Sequence, residues 1–308
     1  MTMPRQIVPG RTYLITRRCT QRQFLLRPDE ETNQAFVYCL AVASQRYSIA
    51  VHGFVANSNH YHSVVTDPDG RLPEFLEHFH KLVAKHQNVL HGRVENMWSS
   101  QRTSVVRLMD TEDAMSKLVY TLTNPVKDHL VEQVHQWPGA ISYHSCLNDK
   151  VITVRRPHRF FKANGPMVNE IQLSCPPLPG YADDRSTYKD LLRAEIARVE
   201  SDAALERKLT QRKVMGRKAV LEQQPTDRPE SVKVDRGINP QFAARDRGLR
   251  NQALLELREF YAAYFFSRDA WLSDKAFPFP VGTWWMAKRA GVACVPLDQL
   301  RLGTEGGG

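Results

Sequence analysis

Hydrophobic and polar positions follow two different periods along the first half of the chain, and each change of period marks a new element. Thr12–Arg17 is β-branched and aromatic at strand spacing, while Asp29–Arg46 sets Phe36, Leu40 and Ala43 at helical intervals behind an Asp N-cap. Ser48–Ala56 and Tyr61–Thr66 read as strands joined through Asn57-Ser58-Asn59, residue types that favour a turn. Leu72–Leu90 returns to the helical period with Phe75, Phe79, Leu82, Val83 and Leu90. Ser104–Met109 is a further strand, and Thr111–Thr123 a helix with Asp110 as N-cap and Asp113 at its third position. The order β-α-β-β-α-β-α predicts an α+β fold, a ferredoxin-like (split βαβ) antiparallel sheet with helices on one face and one added helix.

After Tyr143 the pattern breaks up. Pro157, Gly165-Pro166 and Pro176-Pro177-Leu178-Pro179-Gly180 interrupt any period, which places a boundary near residue 150. The expected organisation is one domain over 1–150 and a mostly helical accessory region over 151–308. Within the latter, Ser186–Lys213 and Leu249–Phe266 carry helical patterns, and Gln224-Pro225-Thr226-Asp227-Arg228-Pro229 separates them. Leu254, Leu257, Phe260 and Tyr264 form an apolar stripe that reads as core. The aromatic, proline-rich segment Phe277–Trp285 suits a packed loop or a nucleic-acid surface, with packing favoured.

Composition narrows the classes. A chain of 308 residues with 42% hydrophobic and 24% charged residues can bury a sizeable core and is not a disordered polymer. Its 42 Lys+Arg against 33 Asp+Glu leave a formal charge of +9. Residues 151–308 contribute most of that excess, and its densest part is Arg207–Lys218, where six of twelve residues are basic. Such a cluster suits a phosphate backbone or a solvated helix face equally. The apolar runs Phe36–Ala43 and Ala253–Phe266 fall short of the roughly 20 residues a membrane span requires, so no transmembrane helix is expected. The start Met-Thr-Met-Pro-Arg has no apolar signal-peptide core, and a cytoplasmic protein is expected. Five cysteines without a Cys-x-x-Cys pair predict reduced, structural thiols.

Two short segments carry chemistry. In Asn59-His60-Tyr61-His62, at the start of a predicted strand, alternation points His60 and His62 to one face and Tyr61 to the other. Two imidazoles on one face can form a metal pair, although the same spacing also serves packing or surface roles. His78-Phe79-His80 has the same spacing inside a helical pattern, where the two rings diverge by about 200° and are badly placed to share an ion. In Tyr120-Thr121-Leu122-Thr123-Asn124-Pro125-Val126, Tyr120 and Asn124 stack on one helix face, and Pro125 biases Asn124 toward a C-cap. Alone, Tyr120 reads as a core or interface aromatic and Asn124 as a simple cap.

Together with Gly10-x-x-Tyr13-x-x-Thr16-x-Arg18-x-x-x-Arg22, these segments give a chain that resembles the REP-associated tyrosine transposases of the HUH single-strand endonuclease and transposase superfamily. The similarity spans about residues 8–145. It departs from the family where Asn57-Ser58 replaces Met-Pro, where Tyr61 stands between the histidines, and where Arg102 is displaced by one place after Trp98. The resemblance implies His60, His62 and Asn124 as ligands of Mg²⁺ or Mn²⁺, and Tyr120 as a nucleophile forming a 5′-phosphotyrosine. It also implies a single-stranded DNA substrate, hairpin-containing in the family's manner, and a monomer or homodimer without a membrane partner. Arg17, Arg18, Arg22 and Arg102 are the candidate DNA contacts. Phe54 and Trp98 are more simply core residues than base-stacking platforms. A catalytically silent DNA-binding or regulatory protein on the same fold is the alternative. A zinc hydrolase is disfavoured, because no Asp or Glu accompanies the histidines at ligand spacing.

Overall fold

In the computed structural model, which describes residues 3–159, 161–162, 165–230 and 240–298, the main sheet is built around β1 (Arg11–Arg18). On one side β1 pairs antiparallel with β3 (His60–Asp67), which pairs antiparallel with β2 (Ala50–Asn57). On the other it pairs antiparallel with β4 (Ser104–Leu108), which takes a two-residue parallel strand, Phe242–Ala243, at its outer edge. The spatial order is therefore Ala50–Asn57, His60–Asp67, Arg11–Arg18, Ser104–Leu108 and Phe242–Ala243, an α+β architecture.

The first helices form where the hydrophobic period and caps place them. In α1 (Glu30–Arg46) the Asp29 carboxylate accepts from the Thr32 amide at 2.7 Å, and in α3 (Thr111–Lys127) Asp110 accepts from the Asp113 amide at 2.6 Å. Between them lies α2 (Leu72–Leu90), whose His78 and His80 go to different surroundings. His78 packs its ring on Tyr47, whereas His80 is buried against Tyr61 and Trp98, in keeping with their helical divergence.

The helices do not share one face, which corrects the expectation from the element order. Phe36 of α1 packs on Phe54, Tyr61 and Phe79 at ring separations of 6.0, 5.6 and 5.3 Å, so α1 and α2 cover the Tyr61 side. Helix α3 lies on the opposite side, where Tyr120 meets His62. The physical reason lies in the strands: β2 and β3 are buried at seven consecutive positions each, so both faces need cover.

Residues beyond 150 continue this packing. Beyond α4 (Tyr143–Asn148), a hairpin of β5 (Ile152–Arg155) and β6 (Glu170–Leu173) lies against α1, and α5 (Arg185–Thr210) lies along α3. One hydrophobic cluster runs from Tyr13 to Val220. The expected helix Ser186–Lys213 stops at Thr210, where Gln211 turns left-handed at φ 53°. The basic cluster Arg207–Lys218 is thus not one helix face. It crosses from the end of α5 through a turn into α6 (Gly216–Glu222). The expected helix Leu249–Phe266 is longer, α7 (Arg247–Leu272), and α8 (Trp284–Ala290) follows it. The aromatic segment divides: Phe279 is fully buried against Tyr264, while Phe277 and Trp285 are exposed. The thiols of Cys19, Cys39, Cys146 and Cys175 are buried and free, and Cys294 is partly exposed and free. Among the described residues no helix is long and apolar enough to cross a membrane.

Gly53 ties the sheet to α3. It follows a bulge in β2 after Val51, and a Cβ there would stand 2.3 Å from Leu118 Cδ1 and 3.3 Å from Ser142 Oγ. Leu118 is fully buried, so its displacement must propagate into packed core. Gly53→Ala is expected to lower stability by about 1–3 kcal/mol, read as a lower urea midpoint at unchanged slope.

Candidate active site

The site begins with a hairpin register. Asn57 pairs with His60 across a two-residue turn of Ser58 and Asn59, so the side chains of Asn57, His60 and His62 share the face toward α3. The two imidazole rings stand 4.8 Å apart at 84°. Each is held through Nδ1: His62 by the Thr16 hydroxyl at 2.7 Å from the neighbouring strand, and His60 by Asn59 Oδ1 at 2.6 Å. Since a carboxamide oxygen only accepts, His60 Nδ1 carries the proton and its Nε2 offers a lone pair. That lone pair accepts from Asn57 Nδ2 at 3.1 Å, and His62 Nε2 is buried without a protein partner.

Tyr61 points the other way, as strand alternation predicts. Its hydroxyl bonds His80 Nε2 at 2.6 Å, and its ring sits among Phe36, Phe79 and Trp98.

Helix α3 brings the third and fourth groups. Tyr120 and Asn124 lie one turn apart, and the Tyr120 ring stands 5.1 Å from that of His62 at 73°. Asn124, 4% exposed, accepts through Oδ1 from Asn57 Nδ2. Asn124 is not the C-cap that the following proline suggests, because the helix continues through Pro125 to Lys127 and is capped at Asp128. Pro125 lies in the last turn, where its missing N–H costs one bond and the buried side chain gains packing. Lys117 and Lys127 flank the phenol, their Nζ atoms 5.9 and 5.5 Å from the ring centre.

Burial sets the protonation states. Desolvation, aided by the positive charge of Arg18, pulls His60 down to about 4 and His62 well below the ordinary imidazole value, with His60 adding to the effect at His62. Both rings are neutral near pH 7, the form that ligates a metal. Desolvation and the Asp128 carboxylate push the Tyr120 phenol up, against the smaller opposing pull of Arg18 and a hydrogen bond with Asn124. The phenol is protonated at neutral pH and becomes a nucleophile only when that proton is drawn away.

The arginines divide by strand parity. Arg18 is exposed beside the imidazoles, opposite His60 in the β1–β3 register, and Arg22 sits just beyond β1 with its field reaching His60. Arg17 lies on the other face, which removes it from this cluster: its guanidinium bonds His80 Nδ1 at 3.2 Å and Thr103 Oγ1 at 2.5 Å and covers Trp98. Arg102 is also elsewhere, its guanidinium donating to the Met3 carbonyl. Trp98 and Phe54 are core residues, and the Trp98 indole donates to the His80 carbonyl at 2.9 Å. Thr16, Asn57 and Asn59 are site residues that the motifs alone leave unassigned. The β1–β3 and β2–β3 pairings are the signal that finds them.

Among the described residues no three His, Cys, Asp or Glu side chains cluster as a metal site, so a cation here depends on amide oxygen beside imidazole nitrogen. The donor set fits a divalent ion of that preference: two neutral rings oriented from behind, an orphaned buried Nε2, and the Asn124 oxygen one residue pair away. Thr16→Val removes the support behind His62 while keeping its shape. Mn²⁺ affinity of the free protein, followed by electron paramagnetic resonance, is expected to fall about 10- to 100-fold.

No family model matches this chain, and no curated protein does. One solved structure that it resembles is titled "Structure of the REP associates tyrosine transposase bound to a REP hairpin". The identity is 22% over 47% of this chain and 83% of that one, with a TM-score of 0.40.

Proposed function

We propose that this chain is a metal-dependent single-stranded DNA endonuclease and strand-transferase, a transposase of the HUH tyrosine type on a ferredoxin-like split βαβ sheet. The observation that supports it is the meeting of His60, His62, Asn124 and Tyr120 from β3 and α3, with the order and chemistry of the REP-associated tyrosine transposases that the sequence resembles. His60 Nε2, His62 Nε2 and Asn124 Oδ1 would hold Mg²⁺ or Mn²⁺, which when bound polarises a scissile phosphate and stabilises its developing charge.

The chain's own groups do the rest. Tyr120 gives up its phenolic proton and attacks phosphorus; the new oxygen–phosphorus bond joins the tyrosine to the 5′ side of the break. The bond to the 3′ oxygen breaks, and that oxygen takes a proton to leave as a 3′-hydroxyl. One phosphodiester replaces another, so a 3′-hydroxyl can reverse the step and join strands without an external energy source. Arg18, Lys117 and Lys127 surround the phenol with positive charge that suits the DNA backbone. A single strand, hairpin-flanked as the resemblance implies, is the substrate this chemistry would take. Residues 1–150 carry this chemistry, and 151–308 act as a basic accessory region in a cytoplasmic protein. It would act as a monomer or a homodimer, and this reading draws all four groups from one chain.

Incubation with labelled single-stranded hairpins and Mn²⁺ is expected to give an adduct that survives denaturation. Tyr120→Phe should abolish it and Tyr61→Phe should retain it, since the Tyr61 hydroxyl faces His80. Chelation should stop cleavage. Adduct formation by Tyr120→Phe, or cleavage unchanged in chelator, would overturn this reading, and hairpin binding without cleavage under any metal would make the chain a silent DNA-binding protein.

A further inference from the structure

The Asn57 carboxamide sits at the centre of the lone pairs that a cation would use. Its Nδ2 donates one hydrogen toward His60 Nε2, at 3.1 Å, and the other to Asn124 Oδ1. Its own Oδ1 is buried and has no hydrogen-bond partner, and the side chain is 2% exposed at the end of β2. The arrangement is asymmetric in an informative way. The donor half of the amide is doubly engaged, and the acceptor half has nothing to lose.

A primary amide donates with one end and accepts with the other, and its two ends have nearly the same size. The terminal torsion of asparagine is broad, so a half-turn about it carries little intrinsic penalty. In the present orientation the NH₂ satisfies His60 Nε2 and Asn124 Oδ1, two groups that would be costly to bury unpaired. Facing a cation on the same lone pairs, those N–H bonds would point their positive ends at it. After a half-turn the orphaned oxygen faces the same place, where a carbonyl oxygen suits Mg²⁺ or Mn²⁺.

We infer that Asn57 is a fourth, switchable ligand of the metal site: its NH₂ holds His60 and Asn124 together until a cation arrives, and its Oδ1 then joins the coordination. This rests on the metal site proposed above. The site so formed has two imidazoles and two carboxamide oxygens, all neutral, so it leaves the full charge of the ion to act on a bound phosphate. It also confines the ligands to one hairpin, β2–β3, and one helix, α3.

The test uses the full chain without DNA, titrated with Mn²⁺ and followed by electron paramagnetic resonance, with thermal melting as the check on folding. His60→Ala and His62→Ala should each weaken binding at least 10-fold. If they leave it unchanged, the metal site itself is wrong, and this inference falls with it. Where they do weaken it, Asn57→Ala is expected to weaken Mn²⁺ binding about 10-fold, and Asn57→Asp, which puts a carboxylate oxygen at the same place, to tighten it about 10-fold. Binding by Asn57→Ala as tight as or tighter than the parent would make Asn57 a plug that competes with the ion, and would overturn the inference alone. Should Asn57→Ala fail to fold, Asn57→Asp decides by the same criterion, and unchanged or weaker binding overturns the inference. In protein labelled with carbon-13 at the asparagine carboxamides, electron–nuclear double resonance should show two carbons coupled to Mn²⁺, one of them lost in Asn57→Asp. A single coupled carbon in the parent would reduce Asn57 to a positioning residue and reject it as a ligand.

Discussion

The pairing of β3 with a neighbour on each side fixes which groups can meet. Arg18 stands opposite His60 and Thr16 opposite His62 on one flank, while Asn57 closes the hairpin opposite His60 on the other. Side chains alternate with period two, so a slip of one residue would send both imidazoles into the α1–α2 core and turn Tyr61 to α3. The Tyr61 hydroxyl bond to His80 and its packing on three aromatic rings oppose that slip from one side, and the Thr16 bond to His62 opposes it from the other. The Nδ1 supports, the freed Nε2 atoms and the approach of α3 all inherit this register.

Much of the sheet could be read from the chain because its local signals agree. Asp29 and Asp110 cap the helices they precede, and the turn residues Ser58 and Asn59 lie where two strand patterns meet. Failures of that reading arise where the deciding force is not local. Pro125 argues for a helix end, yet one lost bond in a last turn weighs less than burying Asn124, Pro125 and Val126 of that turn. Arg17 and Arg18 look alike as candidates until pairing with β3 assigns one to each face. Asn57 reads as a mere departure from a motif, and only its partner across the hairpin shows it bonded to two site residues at once. Helices on both faces follow from the near-complete burial of β2 and β3, which alternation alone does not reveal.

Burial acts on the site's titratable groups in opposite senses. Desolvation penalises the charged form of each, so it keeps the imidazoles neutral and the phenol protonated. In the proposed reaction the rings would therefore be ready to bind a cation, and the tyrosine not yet ready to attack. Positive charge from Arg18 acts in one sense on both kinds of group, since it further disfavours a protonated imidazole and stabilises a phenolate. Asp128 opposes it at the phenol, but Arg212 of the second half of the chain faces Asp128 and offsets part of that carboxylate's charge.

That electrostatic influence shows how residues beyond 150 act on the phenol without touching it. The end of α3 is tied to them by backbone bonds from Met215 to the His129 carbonyl at 2.9 Å and from Gly216 to the Leu130 carbonyl at 3.0 Å. The Val134 amide is held by Glu200 of α5 at 2.7 Å, and α5 itself lies along α3. The helix that carries Tyr120 and Asn124 is thus clamped between the sheet and the second half, and its phenol meets the imidazoles of its own chain. In the proposed reaction the incoming 3′-hydroxyl must be delivered to the tyrosine, and the exposed arginine beside His60 and the lysines flanking the phenol place the positive charge where such a strand would have to lie.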